Sequence, residues 1–184
     1  MLFKTDVHPD APPSLRPIFD RYSCRAFTSD PIPDEHLHWL KEALRWAPSA
    51  GNYQPGHFFV IFDEGIKRDL ARAALNQTFL AEAPLVFVIC SEPDRSARGY
   101  GERGATLYHL QDTAAAVENL LIAATALGYG SCWIGAFSES AVARILNLDP
   151  SLRPVALVPV GVPRHPPGRR TGRRPSRELF NTMP

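Results

Sequence analysis

Arginine and serine alternate in the short segment RYSCR, which spans residues 21–25. If this backbone is extended, Arg21, Ser23 and Arg25 project to the same side of the chain. Two guanidinium groups and a hydroxyl can together bind a phosphate through charge-assisted hydrogen bonds. The same residues are also compatible with a pair of exposed arginines on a loop, so the segment alone leaves both interpretations open.

A second polar segment, APSAGNYQP, occupies residues 47–55 and follows a helical pattern. It offers the Ser49 hydroxyl and the Asn52 and Gln54 amides, which are groups that hydrogen-bond ring edges and sugar hydroxyls. Pro, Ser, Gly and Asn are also the residues that a turn after a helix uses. The segment therefore indicates either a ligand-binding loop or an ordinary helix stop.

A third segment, LGYGSCWIGAF at residues 127–137, combines glycines with large apolar side chains. The glycines allow close approach of the backbone to a ligand, and Trp133, Ile134 and Phe137 supply a flat apolar wall. A planar cofactor would fit such a surface. A helix C-cap followed by core aromatics is the alternative interpretation.

The C-terminal part of the chain is rich in arginine, with Arg169, Arg170, Arg173, Arg174 and Arg177 in nine residues. Such a cluster can bind a phosphate, form a nucleic-acid-binding tail or remain a solvated charge run. It contains no interleaved aromatic residue before Phe180, which weighs against nucleic acid.

Length and composition narrow the class of protein. The chain has 184 residues and is 45% hydrophobic, which predicts a single domain over residues 1–184. Its net charge of +1 provides no overall field that would attract nucleic acid or anionic lipid. Three widely spaced cysteines predict neither a metal site nor a disulfide framework. The N-terminus lacks a signal-peptide pattern and no apolar run reaches the roughly 18 residues of a membrane span, so we expect a cytoplasmic protein.

Hydrophobic periodicity predicts helices interleaved with at least three strands. Short apolar runs at 57–62, 85–90 and 155–162 are typical of buried strands, and Pro159 predicts that the third is an edge or irregular strand. We therefore expect an α+β fold with a mixed central sheet flanked by helices.

Helical patterns occupy most of the remaining chain. They cover residues 14–21, a segment that begins with Asp34 as N-cap and stops at Pro48, and residues 67–83 between the first two strands. A long alanine-rich helix is predicted at 105–127, with Gly128 as its left-handed C-terminal residue, and Ser138 is expected to cap a short helix that ends near Leu148. Residues 91–104 are polar and contain glycine, which predicts a mobile surface loop.

The order and spacing of these segments resemble the nitroreductase family of flavoproteins, from Arg21 to about Phe180. RYSCRAF is similar to the family's opening Arg-x-Ser-x-Arg-x-Phe, APSAGNYQP to its Pro-Ser-x-x-Asn-x-Gln-Pro loop, and ALGYGSCWIG to its Ala-Leu-Gly-x-Gly-x-x-Trp-Ile-Gly turn. PVGVP and RRPSRELF resemble its closing segments. Gly56 stands where the family often has Trp, and the chain is too short for the extra lid helices of larger members.

The resemblance implies an FMN site shared between two subunits of a homodimer. Arg21, Ser23 and Arg25, together with Arg173 or Arg174, would hold the phosphate and ribityl oxygens, and Ser49 and Asn52 would approach the flavin from the other subunit. Two subunits would associate through the helix at 105–127 and exchange their C-terminal arms. The complete set of cofactor-binding residues implied in this way is Arg21, Tyr22, Ser23, Arg25, Pro48, Ser49, Asn52, Gln54, Cys132, Trp133, Ile134, Gly135, Arg173 and Arg174.

The implied reaction is the ping-pong reduction of a small planar acceptor, such as a nitroaromatic or a quinone, by NADH or NADPH. It needs no catalytic side chain and no metal, because the flavin performs the redox chemistry. A specialised member of the superfamily, either a reductive dehalogenase or a flavin-fragmenting enzyme of cobalamin synthesis, is an alternative. A sensor or carrier that holds FMN without turnover is another.

Overall fold

A four-stranded antiparallel sheet in the order β1-β2-β4-β3 forms the centre of the molecule. The computed structural model describes residue 8, residues 10–167 and residues 171–183. The strands are β1 Gly56–Ile61, β2 Leu85–Ser91, β3 Gly130–Ser131 and β4 Arg153–Gly161. The helices are α1 Arg16–Asp20, α2 Asp34–Arg45, α3 Glu64–Ala73, α4 Phe79–Glu82, α5 Pro93–Arg103, α6 His109–Ala126 and α7 Glu139–Ile145.

Strand β2 is buried along its whole length because helices cover both faces of the sheet. Its residues 85, 87 and 89 face α2 and α6, whereas residues 86, 88 and 90 face α3, α4 and α7. This burial explains why LVFVIC is apolar at every position rather than alternating. The predicted α+β class and the three predicted strands are confirmed. The four strands pair antiparallel, and the parallel pairing expected of a mixed sheet is limited to an isolated bridge between Ser23 and Ser131 outside the strands.

Several local signals also agree with the structure, and two differ from it. Gly128 has φ +85° at the end of α6, and the Ser138 hydroxyl accepts a hydrogen bond from the Ala141 N–H at the start of α7. Asp34 is the first helical residue of α2 and not its cap, because Pro33 occupies the cap position. The helix predicted at 67–83 is two helices, α3 and α4, since Leu75 and Asn76 between them have positive φ.

The prediction of a mobile loop at 91–104 is wrong, because Ser91 ends β2 and residues 93–103 form α5. Pro93 lies in its first turn, a position that suits proline. The Arg95 Nε donates to the Tyr53 carbonyl at 2.6 Å, and a Cβ on Gly99 would lie 2.4 Å from the Tyr53 ring. The polar helix is thus fixed by packing against the 47–55 segment. A π-helical turn, Gly104–Tyr108, joins it to α6.

Strand β4 is an interior strand and not an edge, but its pairing is irregular, as its proline predicts, and its register against β2 shifts between Ile89 and Cys90. It pairs with β2 on one side and with β3 on the other. The Cys132 N–H donates to the Pro159 carbonyl at 3.4 Å, but Pro159 has no N–H to donate in return. Pairing resumes between Ile134 and Leu157. The sheet therefore tolerates the proline by interrupting its ladder beside β3.

Candidate functional site

The RYSCR segment lies directly beside the turn that follows β3. The Cys24 N–H donates to the Ser131 carbonyl at 2.9 Å, within the parallel bridge between Ser23 and Ser131. Tyr22 and Cys24 pack inward against Phe27, whereas Ser23 and Arg25 are exposed on the opposite side. The alternation expected from the sequence is therefore present in the backbone. Two of the predicted site segments, 21–25 and 132–135, are brought together.

The Cys132–Gly135 turn alternates between buried and exposed positions. Cys132 and Ile134 are almost completely buried, and the backbone of Ile134 exchanges two hydrogen bonds with Leu157. Trp133 is 41% exposed and Gly135 is exposed as well. A methyl group at Gly135 would meet nothing closer than the Trp133 Nε1 at 4.0 Å. The turn thus presents an open backbone surface flanked by an indole ring.

Positive charge and unused hydrogen-bonding capacity collect between these two segments. Burial raises the pKa of the Cys132 thiol, while the charges of Arg25 and Arg21 and a hydrogen bond with Ser23 act in the opposite direction. Arg21 approaches the Glu118 carboxylate only at 3.9 Å, and within the described ranges Arg25 makes no ion pair. These groups could together hold an anionic ligand.

The Ser131 side chain supplies a further hydrogen-bonding group beside the RYSCR segment. The Ser131 Oγ is fully buried and has no hydrogen-bond partner among the residues that the structure describes. Buried hydroxyls are rarely left without a partner. An arginine-rich rim, a backbone surface free of side chains and an unsatisfied hydroxyl are together the donor set that a phosphorylated planar cofactor requires.

The segment at residues 48–54, here called the amide loop, has a strained conformation. Gly51, Asn52 and Gln54 all have positive φ, at +55°, +57° and +49°. The Gln54 N–H donates to the Ser49 Oγ at 2.9 Å, and the Gln54 Nε2 donates to the Asn52 Oδ1 at 3.0 Å. Positive φ at a residue other than glycine is uncommon and concentrates at functional sites.

The amide loop and the RYSCR segment contact α6 at different positions. The Ala50 N–H donates to Asp112, whereas Arg21 approaches Glu118. These two acidic residues are six positions apart, which separates them by about 9 Å along the helix and by about 120° around its axis. The structure therefore does not place Ser49, Asn52 and Gln54 on the face of α6 that Arg21 approaches.

The predicted C-terminal arginines lie apart from both segments. Arg173 donates to the Thr171 carbonyl at 3.2 Å, and Arg174 pairs with Glu178 at 3.5 Å. All residues at 171–183 are exposed, including the apolar Leu179 and Phe180. Arg169 and Arg170 lie outside the described residues.

Several residues near the amide loop were not identified from the sequence. A cavity of about 220 Å³ lies behind the loop, and its polar lining includes Asp112, Glu92 and Arg95. Tyr100 and Tyr108 of the α5 region stack edge to face, and Tyr100 also meets Tyr53 of the 47–55 segment in this way. The sequence offers one signal for Asp112, which is an acidic residue on an alanine-rich helix at the spacing that places it on the same face as Ala116, a buried residue.

Two further findings concern the part of the chain that the structure describes. No group of three or more His, Cys, Asp or Glu side chains within it could hold a metal ion. No helix in it is sufficiently long and apolar to span a membrane.

Comparison with known proteins gives consistent matches over most of the chain. The family model described as the nitroreductase family matches residues 18–78 and 63–162. A protein of Archaeoglobus fulgidus, provisionally named NADH dehydrogenase/NAD(P)H nitroreductase, is 32% identical over 82% of this chain and 85% of its own length. The structure of NADPH:FMN oxidoreductase from Vibrio harveyi complexed with NAD+ superimposes with a TM-score of 0.84 at 25% identity, over 93% of this chain and 77% of that one. The 5,6-dimethylbenzimidazole synthase of Rhodobacter capsulatus is 27% identical over 78% of this chain and 80% of its own length.

Proposed function

The chain belongs to the nitroreductase family, and we propose that residues 1–184 form one FMN-binding domain that uses NADH or NADPH to reduce small planar acceptors. Nitroaromatics and quinones are the acceptors that we expect. The observation that carries the proposal is the position of Arg21, Ser23 and Arg25 beside the open Cys132–Gly135 turn. The similarity to NADPH:FMN oxidoreductase supports both the cofactor and the reductant.

In this proposal the chain holds the two ends of FMN with two different kinds of group. Arg21, Ser23 and Arg25 bind the phosphate and the ribityl oxygens, and Ser131 offers its buried hydroxyl to the same region. The backbone and the Trp133 indole of the turn face the ring. Bound FMN would supply the redox chemistry between the nicotinamide and the acceptor, so the protein's part is binding, orientation and electrostatics.

We propose that a homodimer completes the site, with the amide loop contributed by the partner subunit. The position of the loop on another face of α6 supports this arrangement, as does a groove of about 250 Å³ lined by Leu110, Thr113, Ala114, Val117, Trp133 and Val155. The exposed residues 171–183 are available to extend onto a second copy and bring Arg173 or Arg174 to its phosphate site. Closed two-fold dimers are the commonest oligomers of soluble proteins.

Flavin fragmentation is the second candidate function, because the dimethylbenzimidazole synthase relative covers most of the chain. The two functions differ in the fate of the flavin. A reductase returns FMN intact after each cycle, whereas a fragmenting enzyme consumes it. Recovery of intact FMN after repeated turnover therefore separates them.

The test is an absorbance spectrum of the purified protein, supplemented with FMN if it is colourless. NADH and then NADPH are added under anaerobic conditions. We expect the visible flavin band to be bleached and to return when a quinone is added. Bound flavin that neither nucleotide reduces would contradict the reductase and favour a carrier, and failure to bind FMN would overturn the whole proposal.

A further inference from the structure

One hydrogen bond connects the backbone of the amide loop to α6. The Ala50 N–H donates to the Asp112 Oδ1 at 3.1 Å, between residues that are 62 positions apart in the chain. Asp112 lies in the first turn of α6, and the next residue, Thr113, is buried and bonds back to the His109 carbonyl at 2.8 Å. The loop is thus attached to a rigid part of the helix.

Among the described residues, two long-range hydrogen bonds fix the amide loop, which are the bond from Ala50 to Asp112 on the α6 side and the bond from Arg95 to the Tyr53 carbonyl on the α5 side. The other hydrogen bonds of Ser49, Asn52 and Gln54 join residues within five positions of one another. Local bonds shape the loop but do not fix it against the rest of the molecule. Residues in sparsely populated backbone regions persist only where their surroundings enforce the conformation. On the side of the loop that faces α6, Asp112 helps to hold this backbone conformation through its bond to Ala50.

The electrostatics of Asp112 make the bond sensitive to protonation. Burial raises the pKa of the Asp112 carboxyl, while the Ala50 N–H and the nearby His109 act in the opposite direction. Its Oδ2 is buried and has no partner among the described residues. The charged groups that share its cavity are Arg45 from α2 and Glu92 and Arg95 from the start of α5. Arg45 forms a hydrogen-bonded ion pair with Glu42, and the Arg95 Nε donates to the Tyr53 carbonyl.

We propose that Asp112 is a positioning residue whose carboxylate holds Ala50, and with it Ser49 and Asn52, in the conformation that receives the flavin of the partner subunit. The inference rests on the proposed FMN site, because it assigns the amide loop to that site. Asp112 itself does not touch the flavin. Its protonation at acid pH weakens the bond to Ala50 and so lowers the affinity for FMN.

The test compares Asp112→Ala and Asp112→Asn with the wild-type protein. Asp149→Asn is the matched control, since Asp149 is an exposed acid that bonds the backbone of Ser151, only two residues away. Hydrogen exchange of the peptide containing residues 48–56 is measured in flavin-free protein. FMN dissociation constants are then measured from pH 5 to pH 8 by quenching of flavin fluorescence, a range set by the titration of buried carboxyl groups.

We expect the Ala50 amide of Asp112→Ala to exchange about tenfold faster or more, and the FMN dissociation constant to rise by a similar factor. Asp112→Asn keeps an oxygen acceptor, so its loss should be smaller and its acid-side weakening should be less steep than in the wild type. Protonation of the FMN phosphate is common to both proteins and cancels in that comparison. Asp149→Asn should match the wild type.

Unchanged exchange and unchanged FMN affinity in Asp112→Ala would overturn the inference. So would an identical pH dependence in the wild type and Asp112→Asn. If the wild-type protein fails to bind FMN, the proposed function is wrong, and the exchange measurement still decides whether Asp112 anchors the loop. If Asp112→Ala does not fold, Asp112→Asn provides the same comparison.

Discussion

Gly130 of β3 lies directly beside Cys24 of the RYSCR segment, and its replacement by alanine should separate the two segments. A Cβ at this position would lie 2.7 Å from both the Cβ and the Sγ of Cys24, and 3.0 Å from the Pro163 Cγ. Carbon atoms pack at about 3.5–4.0 Å, so the two segments must move apart by about 0.8–1.3 Å. The Cys24 Cβ belongs to the base of its side chain and cannot rotate away. The backbone must therefore take up the movement.

The stability change follows from two opposing effects. Overpacking of a close contact costs about 1–3 kcal/mol. Replacing glycine by alanine also returns about 0.4–1 kcal/mol by restricting the unfolded chain. We therefore expect Gly130→Ala to lower the free energy of unfolding by about 1.3 kcal/mol, the difference between the midpoints of these two ranges.

Urea denaturation of the flavin-free protein, with the protein concentration held the same for every variant, measures this change. Gly135→Ala is the matched control for stability, because its methyl group would meet no atom closer than 4.0 Å. This variant should therefore show the stabilisation from a restricted unfolded chain without the destabilisation from overpacking. The displacement should also raise the FMN dissociation constant of Gly130→Ala, since Arg21 and Arg25 move relative to the turn. Equal stability of the two variants, with wild-type FMN affinity in Gly130→Ala, would refute the reasoning.

Three further predictions concern single side chains. Arg25→Ala should weaken FMN binding by about 1.5–3 kcal/mol, because it removes a charge-assisted phosphate contact. Equilibrium titration with FMN measures the dissociation constant, and an unchanged value would show that Arg25 does not bind the phosphate. Ser138→Ala should lower the free energy of unfolding by about 0.5–2 kcal/mol through loss of the cap of α7, with FMN affinity unchanged; wild-type stability in thermal denaturation would contradict the capping role. Burial raises the pKa of the Cys90 thiol to about 12. Cys90 should therefore resist alkylation by iodoacetamide at neutral pH in the folded protein, which mass spectrometry measures. Rapid labelling under native conditions would show that this part of the core opens.

The parts of the fold that were predictable are those in which one local pattern decides the outcome. The continuous apolar run of β2 predicts burial on both faces, and its short length and β-branched residues favour a strand over a helix. The Gly128 and Ser138 signals depend on backbone conformation and on one nearby hydrogen bond, so they too can be read from a few residues. The arginine and serine spacing in RYSCR belongs to the same class.

The parts that were not predictable depend on contacts between distant residues. Helix α5 has few apolar residues of its own, and it is fixed by Tyr53, which lies some forty positions earlier in the chain. Pro159 argues for an edge only until the interrupted pairing beside β3 is known. Asp112 is an ordinary acid on a helix until Ala50 is seen to bond it. In each case the deciding partner lies outside any local window.

The shortness of β3 has a consequence for self-association. A long open strand at the edge of a sheet is a template on which another chain can add a strand. Here the edge has two residues, and the bridge from Ser23 to Ser131 covers it on its open side. The segment proposed to bind phosphate therefore also covers the β3 edge of the sheet against strand addition. Substitutions that loosen it should reduce solubility as well as flavin content, and the two defects should appear together.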